Sequence, residues 1–100
     1  MEFLNCSRDA AWPALATSYT GTAGDCTAYP PGPSAVLVWC DTAAYVLVGE
    51  GVTATTANGT PIPANTPIPF IVPKGTGAPW RVSAIRVASS GTLYTKPMNN

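Results

Sequence analysis

Ala35-Val-Leu-Val-Trp-Cys40-Asp-Thr-Ala-Ala44-Tyr-Val-Leu-Val48 decides the fold class. Both halves are β-branched and aromatic runs of strand length, too short for helices and without helical spacing. The first run is continuous enough to suggest a strand buried on both faces, with Trp39 in the core. Asp41-Thr42 is turn chemistry, so the simplest arrangement is a β-hairpin. Working outward, Gly49-Glu-Gly51 closes the second run. Val52-Thr-Ala-Thr-Thr56 then alternates as a third strand and stops at Asn58-Gly59.

Downstream, Phe70-Ile-Val72 is a short strand and Pro73–Pro79 a turn-rich loop. Trp80-Arg-Val-Ser-Ala-Ile-Arg-Val-Ala88 is the longest strand, and both of its faces are mainly apolar, so both should be covered. Trp80 follows the flexible loop and is a candidate for exposure. Ser89-Ser-Gly91 is a turn, and Thr92-Leu-Tyr-Thr95 is expected to pair back as a hairpin. Short strands with turn signals at this spacing predict an all-β fold, a small antiparallel β-sandwich or barrel.

Between the two groups of strands, Thr60-Pro-Ile-Pro63 recurs six residues on as Thr66-Pro-Ile-Pro69. Proline fixes φ and removes an N–H, which excludes a central strand. The segment is expected to be extended, with Ile62 and Ile68 in equivalent orientations. It is either an edge strand or connection whose prolines block stray pairing, or a docking strip for a neighbouring subunit. The organisation that follows is an extended N-terminal arm over residues 1–34 and a β-domain over residues 35–100. The arm has little regular structure: a short helix from Ser7 limited by Pro13, one strand near Thr17–Thr22, and Trp12 and Tyr19 as anchors.

Only ten of the 100 residues are charged, against about 25 in an ordinary domain of this length. A surface that poor in charge suits a protein packed against copies of itself or a larger assembly. Residues 1–50 hold five acids and one base, net −4, whereas residues 51–100 hold four bases and no acid, net +4. Either the halves pair within the fold or opposite-signed faces meet between subunits. Four bases spread over 23 residues form no stripe, so nucleic-acid binding is not expected.

The chain has no histidine, so Ser-His-Asp and Cys-His arrangements are ruled out. Cys6, Cys26 and Cys40 lack zinc-ligand spacing and are odd in number, which points to reduced thiols packed as small apolar groups. A Ser–Lys dyad of Lys74 with Ser89 or Ser90, or a carboxylate pair of Asp41 with Glu50, can be drawn, but both read better as turn residues. Asn5-Cys6-Ser7 and Asn58-Gly59-Thr60 match the loose glycosylation acceptor pattern. The expectation is therefore a non-enzyme with no cofactor and no metal. The terminus MEFLNCSRD carries no leader pattern and no stretch has membrane-span length, so synthesis in a cytosol and no membrane partner are expected. The tryptophans and tyrosines leave a small carbohydrate-binding module as an alternative.

The cadence V-L-V-W, A-A-Y-V-L-V-G, V-T-A-T-T, T-P-I-P-A-N-T-P-I-P-F-I-V-P and V-S-A-I-R-V-A-S-S-G-T-L-Y, from Ala35 to Met98, resembles that of small virion proteins of tailed bacteriophages. The resemblance implies a capsid decoration (cement) protein, or else a tail or spike accessory subunit. Such a protein would be made in the bacterial cytoplasm and located on the capsid surface. Its partners would be the major capsid protein and its own copies, with a trimer favoured. No active site comes with the resemblance. The contact residues expected for such a role are Trp12, Tyr19, Ile62, Ile68, Trp80, Arg81 and Arg86.

Overall fold

The computed structural model describes residues 13–30, 35–72 and 79–98. Eight strands follow one another: β1 (Leu15–Tyr19), β2 (Gly24–Asp25), β3 (Ala35–Cys40), β4 (Ala44–Gly49), β5 (Thr60–Ile62), β6 (Ile68–Ile71), β7 (Arg81–Arg86) and β8 (Gly91–Met98). They form two four-stranded sheets, ordered β1-β8-β3-β6 and β2-β7-β4-β5, and every pairing is antiparallel. The fold is all-β and sandwich-like. Of the two architectures the sequence left open, two separate sheets select the sandwich.

Both expected hairpins are absent. β3 and β4 lie in different sheets, as do β7 and β8; β3 pairs with β6 and β8, and β4 with β5 and β7. A tight hairpin of the twist-compatible kind needs positive φ in its turn, and among the described residues only Asn65 and Gly51 have it. Asp41-Thr42-Ala43 and the link after β7 instead carry the chain from one layer to the other. The two crossings meet at one end of the sandwich: Asp41 N donates to Thr92 O at 3.2 Å, Thr92 N to Asp41 Oδ1 at 2.7 Å, and Val87 N to Ala43 O at 3.2 Å.

Val52–Thr56 is not a strand. Together with residues 57–59 it forms a loop closed by Thr55: Gly59 N donates to Thr55 O at 3.0 Å, and Ala57 N and Asn58 N donate to Thr55 Oγ1. The threonine alternation that resembles a strand here supplies turn-closing hydroxyls instead.

Each Thr-Pro-Ile-Pro copy contributes to a sheet edge, β5 on one sheet and β6 on the other. Edges are where a residue without an N–H costs least. Between the copies the chain crosses layers at Asn65, whose φ is 56° and whose N–H donates to Cys40 O at 2.8 Å; asparagine tolerates this left-handed conformation better than most residues.

In the described part of the N-terminal third, β1 overlaps the strand expected near Thr17–Thr22, and the segment pairs with both sheets. β1 runs along β8 from Leu15↔Thr95 to Tyr19↔Gly91, and β2 lies beside β7. Tyr19, Cys26 and Tyr29 belong to the same buried cluster as Val36, Val38, Cys40, Val46, Val82 and Leu93. A strand pattern too short to stand out by periodicity is held here by long-range partners. The possible helix from Ser7, and Trp12, lie outside the described residues.

Candidate interaction surface

The alternation of β3 assigns its side chains. Val36, Val38 and Cys40 are fully buried, whereas Leu37 is partly buried and Trp39 is 41 % exposed. In β8, Leu93 and Thr95 turn inward and Tyr94 outward. Register brings Trp39 and Tyr94 opposite one another, with ring centroids 5.1 Å apart and planes tilted by 35°. Ala16 of β1 continues that row, and Pro69–Leu37–Lys96 forms the next. Beyond it, Ile71 lies opposite Ala35 and is 84 % exposed. The outer face of this sheet thus presents aromatic and aliphatic groups, with Lys96 the one charge in the rows named.

On the other sheet the chain itself covers the outer face around Ser83. Ser83, in the middle of β7, is fully buried, donates to Asp25 Oδ1, and accepts from Ala54 N at 2.8 Å. Arg81 clamps the same loop, donating from Nε to Val52 O at 2.8 Å and from Nη2 to Thr53 Oγ1 at 3.2 Å. Its guanidinium also lies 3.2 Å from Asp25 Oδ2. This ion pair joins the acidic first half of the sequence to the basic second half within the fold. A serine beside a carboxylate suggests nucleophile chemistry, but Ser83 has no access to solvent and its hydroxyl is committed on both sides. The cluster fastens a loop.

Most of the contact residues expected from sequence are placed elsewhere. Tyr19, Ile62 and Trp80 are 1 %, 3 % and 2 % exposed and form core, and Ile68 packs partly buried against it. Trp80 is enclosed because its backbone bridges to Tyr29 (2.7 and 3.0 Å), its ring lies 4.8 Å from the Tyr29 ring, and its Nε1 donates to Pro30 O at 3.2 Å. Arg81 holds the loop. Arg86 is exposed and donates from Nη1 to Ser90 Oγ at 3.4 Å. Trp12 lies outside the described residues. The two tryptophans have therefore exchanged the expected positions: Trp39 is on the surface and Trp80 is inside. The signal missed was strand phase, since Val36, Val38 and Cys40 share one parity and Trp39 has the other.

Asp41 and Glu50 flank β4, whose six residues separate them by roughly 20 Å, beyond the reach of a shared glycosidic bond. Among the described residues no three His, Cys, Asp or Glu side chains come together as a metal site, and no helix is long and apolar enough to cross a membrane.

Cys26 and Cys40 are free and buried. Burial pushes the Cys40 thiol up to about 11 and raises that of Cys26. Burial likewise pushes the Tyr29 phenol up to about 12, against a lowering by its hydrogen bond with Thr95. These groups hold their protons more tightly folded than unfolded, so their stabilisation is whole below the unfolded values of 9.0 and 10.0 and lost as pH rises toward 11 and 12. The urea midpoint should fall across pH 9–12, and Tyr29→Phe should flatten the upper part of that fall. A midpoint constant over this range would contradict the assignment.

The geometry defines a class, a β-sandwich with one outer face partly covered by its own loop and one that exposes an aromatic pair. Compared with family models, curated proteins and solved structures, the chain matches none.

Proposed function

We propose that this chain is a non-enzymatic structural subunit of a virion, which binds a phage capsid shell and stabilises it as a decoration or cement protein. The observation that carries the reading is the asymmetry of the sandwich. One sheet spends a loop and an ion pair on covering its outer face around Ser83, while the other leaves Trp39, Tyr94 and Ile71 in the open. Large rigid side chains grouped on a charge-poor sheet are suited to a protein–protein contact, where a few aromatic residues carry most of the affinity. In this reading the major capsid protein, with further copies of the chain in a trimer, meets the sheet through Trp39 and Tyr94. Placement on a tail or spike would use the same surface.

A carbohydrate-binding module is the second reading, and the exposed Trp39–Tyr94 pair favours it. Against it, rings packed on one another at a 35° tilt do not both lie flat under one sugar chain.

Co-sedimentation with purified capsid shells, alongside a glycan screen, tests the assignment. The parent protein should pellet with shells, and Trp39→Ala should weaken binding by about thirtyfold, as expected of an interface hot spot of ~2 kcal/mol, without loss of fold. Failure of the folded parent to bind shells, or Trp39-dependent glycan binding in its place, would overturn the capsid reading.

A further inference from the structure

We propose that Asn58–Gly59 is a latent self-modification site, held closed by the 53–59 loop, and that its cyclisation unseats the edge strand β5. Asparagine followed by glycine is the pair most prone to succinimide formation, because no side chain hinders the glycine nitrogen. In that reaction the Gly59 amide gives up its proton to solvent base and its nitrogen forms a bond to Asn58 Cγ. The Cγ–Nδ2 bond breaks and ammonia leaves. Water then opens the imide at either carbonyl, leaving aspartate or isoaspartate.

The fold both requires this pair and restrains it. Glycine is required because a Cβ at position 59 would lie 2.6 Å from Tyr45 Cβ and 3.1 Å from Thr55 O. Asparagine is required because its carboxamide spans the loop: Oδ1 accepts from Thr55 N at 2.7 Å, and Nδ2 donates to Thr53 O at 3.4 Å. The same bonds hold both ends of the carboxamide on the loop backbone, so it is not free to reach the Gly59 nitrogen. That nitrogen is itself engaged, donating to Thr55 O at 3.0 Å. Asn58 is exposed, so water and base reach the site, and the hydrogen bonds of the loop are what restrain it.

The consequence is local and irreversible. Isoaspartate adds a methylene to the main chain immediately before Gly59 and Thr60, where β5 takes its register on β4 through Thr60↔Val46 and Ile62↔Ala44. A backbone lengthened at that point cannot keep both the Gly59–Tyr45 contact and the pairing. A transient opening of the loop is thus converted into lasting loss of an edge strand.

The test is to incubate the intact protein at mildly alkaline pH, folded and in urea, and follow residue 58 by peptide mass spectrometry with isoaspartate detection. Folded protein should deamidate at Asn58 at least about tenfold more slowly than unfolded protein, in proportion to how rarely the loop opens. Thr55→Ala, which removes the Oγ1 acceptor but keeps the main chain, should move the folded rate toward the unfolded one. Aged folded protein carrying isoaspartate should show faster amide exchange at Thr60 and Ile62 than fresh protein, whereas exchange in Asn58→Gln should not change with ageing. Equal rates in folded and unfolded protein would overturn the restraint. Unchanged exchange at Thr60 and Ile62 in the isoaspartate form would overturn the coupling to β5.

Discussion

Trp80→Ala should cost about 3–5 kcal/mol of folding stability, a large share of the roughly 5–15 kcal/mol that a domain of this size possesses. The indole is 2 % exposed, lies against the Tyr29 ring and donates to Pro30 O. Its removal therefore combines lost burial, an unfilled cavity and a lost hydrogen bond. Trp80→Phe, which retains most of the volume but no N–H, should lose only about 1–2 kcal/mol. Trp39→Ala is the matched comparison, since its ring is half in water and packs on Tyr94; the expected change is under about 1 kcal/mol. Urea unfolding of the three variants measures all of this. Trp39→Ala proving more damaging than Trp80→Ala would mean that the strand phase assigned to β3 is inverted.

Gly91→Ala is expected to be strongly destabilising. A Cβ there would run into Asp41 Oδ1, Thr42 Oγ1 (2.5 Å) and Tyr19 Oη (2.7 Å). All three atoms are the ends of side chains, which ordinarily move aside, but here each is fixed. The Tyr19 hydroxyl bonds Thr42 Oγ1 at 2.6 Å and Thr42 O at 2.8 Å. Thr42 Oγ1 also donates to Ser89 O at 2.9 Å, and Asp41 Oδ1 holds Thr92 N. Accommodating the methyl breaks part of the set that ties the β3–β4 crossing to the β7–β8 crossing. With about 1 kcal/mol per bond and 1–3 kcal/mol of strain, a loss of roughly 3 kcal/mol follows, or a melting temperature lower by roughly 10–20 °C. Thr42→Ala in the same chain should recover part of the loss, because the two changes act on one set of contacts. Strict additivity of the two variants would show that the cost arises elsewhere.

The candidate surface was less legible than the fold. Trp39 looked like core because its neighbours Val36, Leu37 and Val38 are all apolar, and an unbroken run hides its own phase. Tyr94 is one of several aromatics and does not stand out as the partner of Trp39, because Thr92-Leu-Tyr-Thr95 looks like one arm of a hairpin, whereas β8 is a central strand between β1 and β3. Arg81 and Asp25, 56 positions apart, carry no local sign that they will meet over Ser83. The same holds for how far the N-terminal third is tied into the sheets. Leu15–Tyr19 forms a strand because β8 offers it an edge, and its five residues advertise little of that.

What the sequence by itself determined is what depends on each residue's own chemistry. β-branched and aromatic runs made the chain all-β, and prolines without an N–H sent both Thr-Pro-Ile-Pro copies to sheet edges. The lack of histidine closed off the commonest catalytic arrangements. Tertiary structure alone decided which strands pair, since among the described residues only β4 and β5 are neighbours in both sequence and sheet. It thereby decided which face of each strand meets the opposite sheet. A strand has two faces of equal standing until a partner layer covers one, and that choice buried Trp80 and left Trp39 in the open.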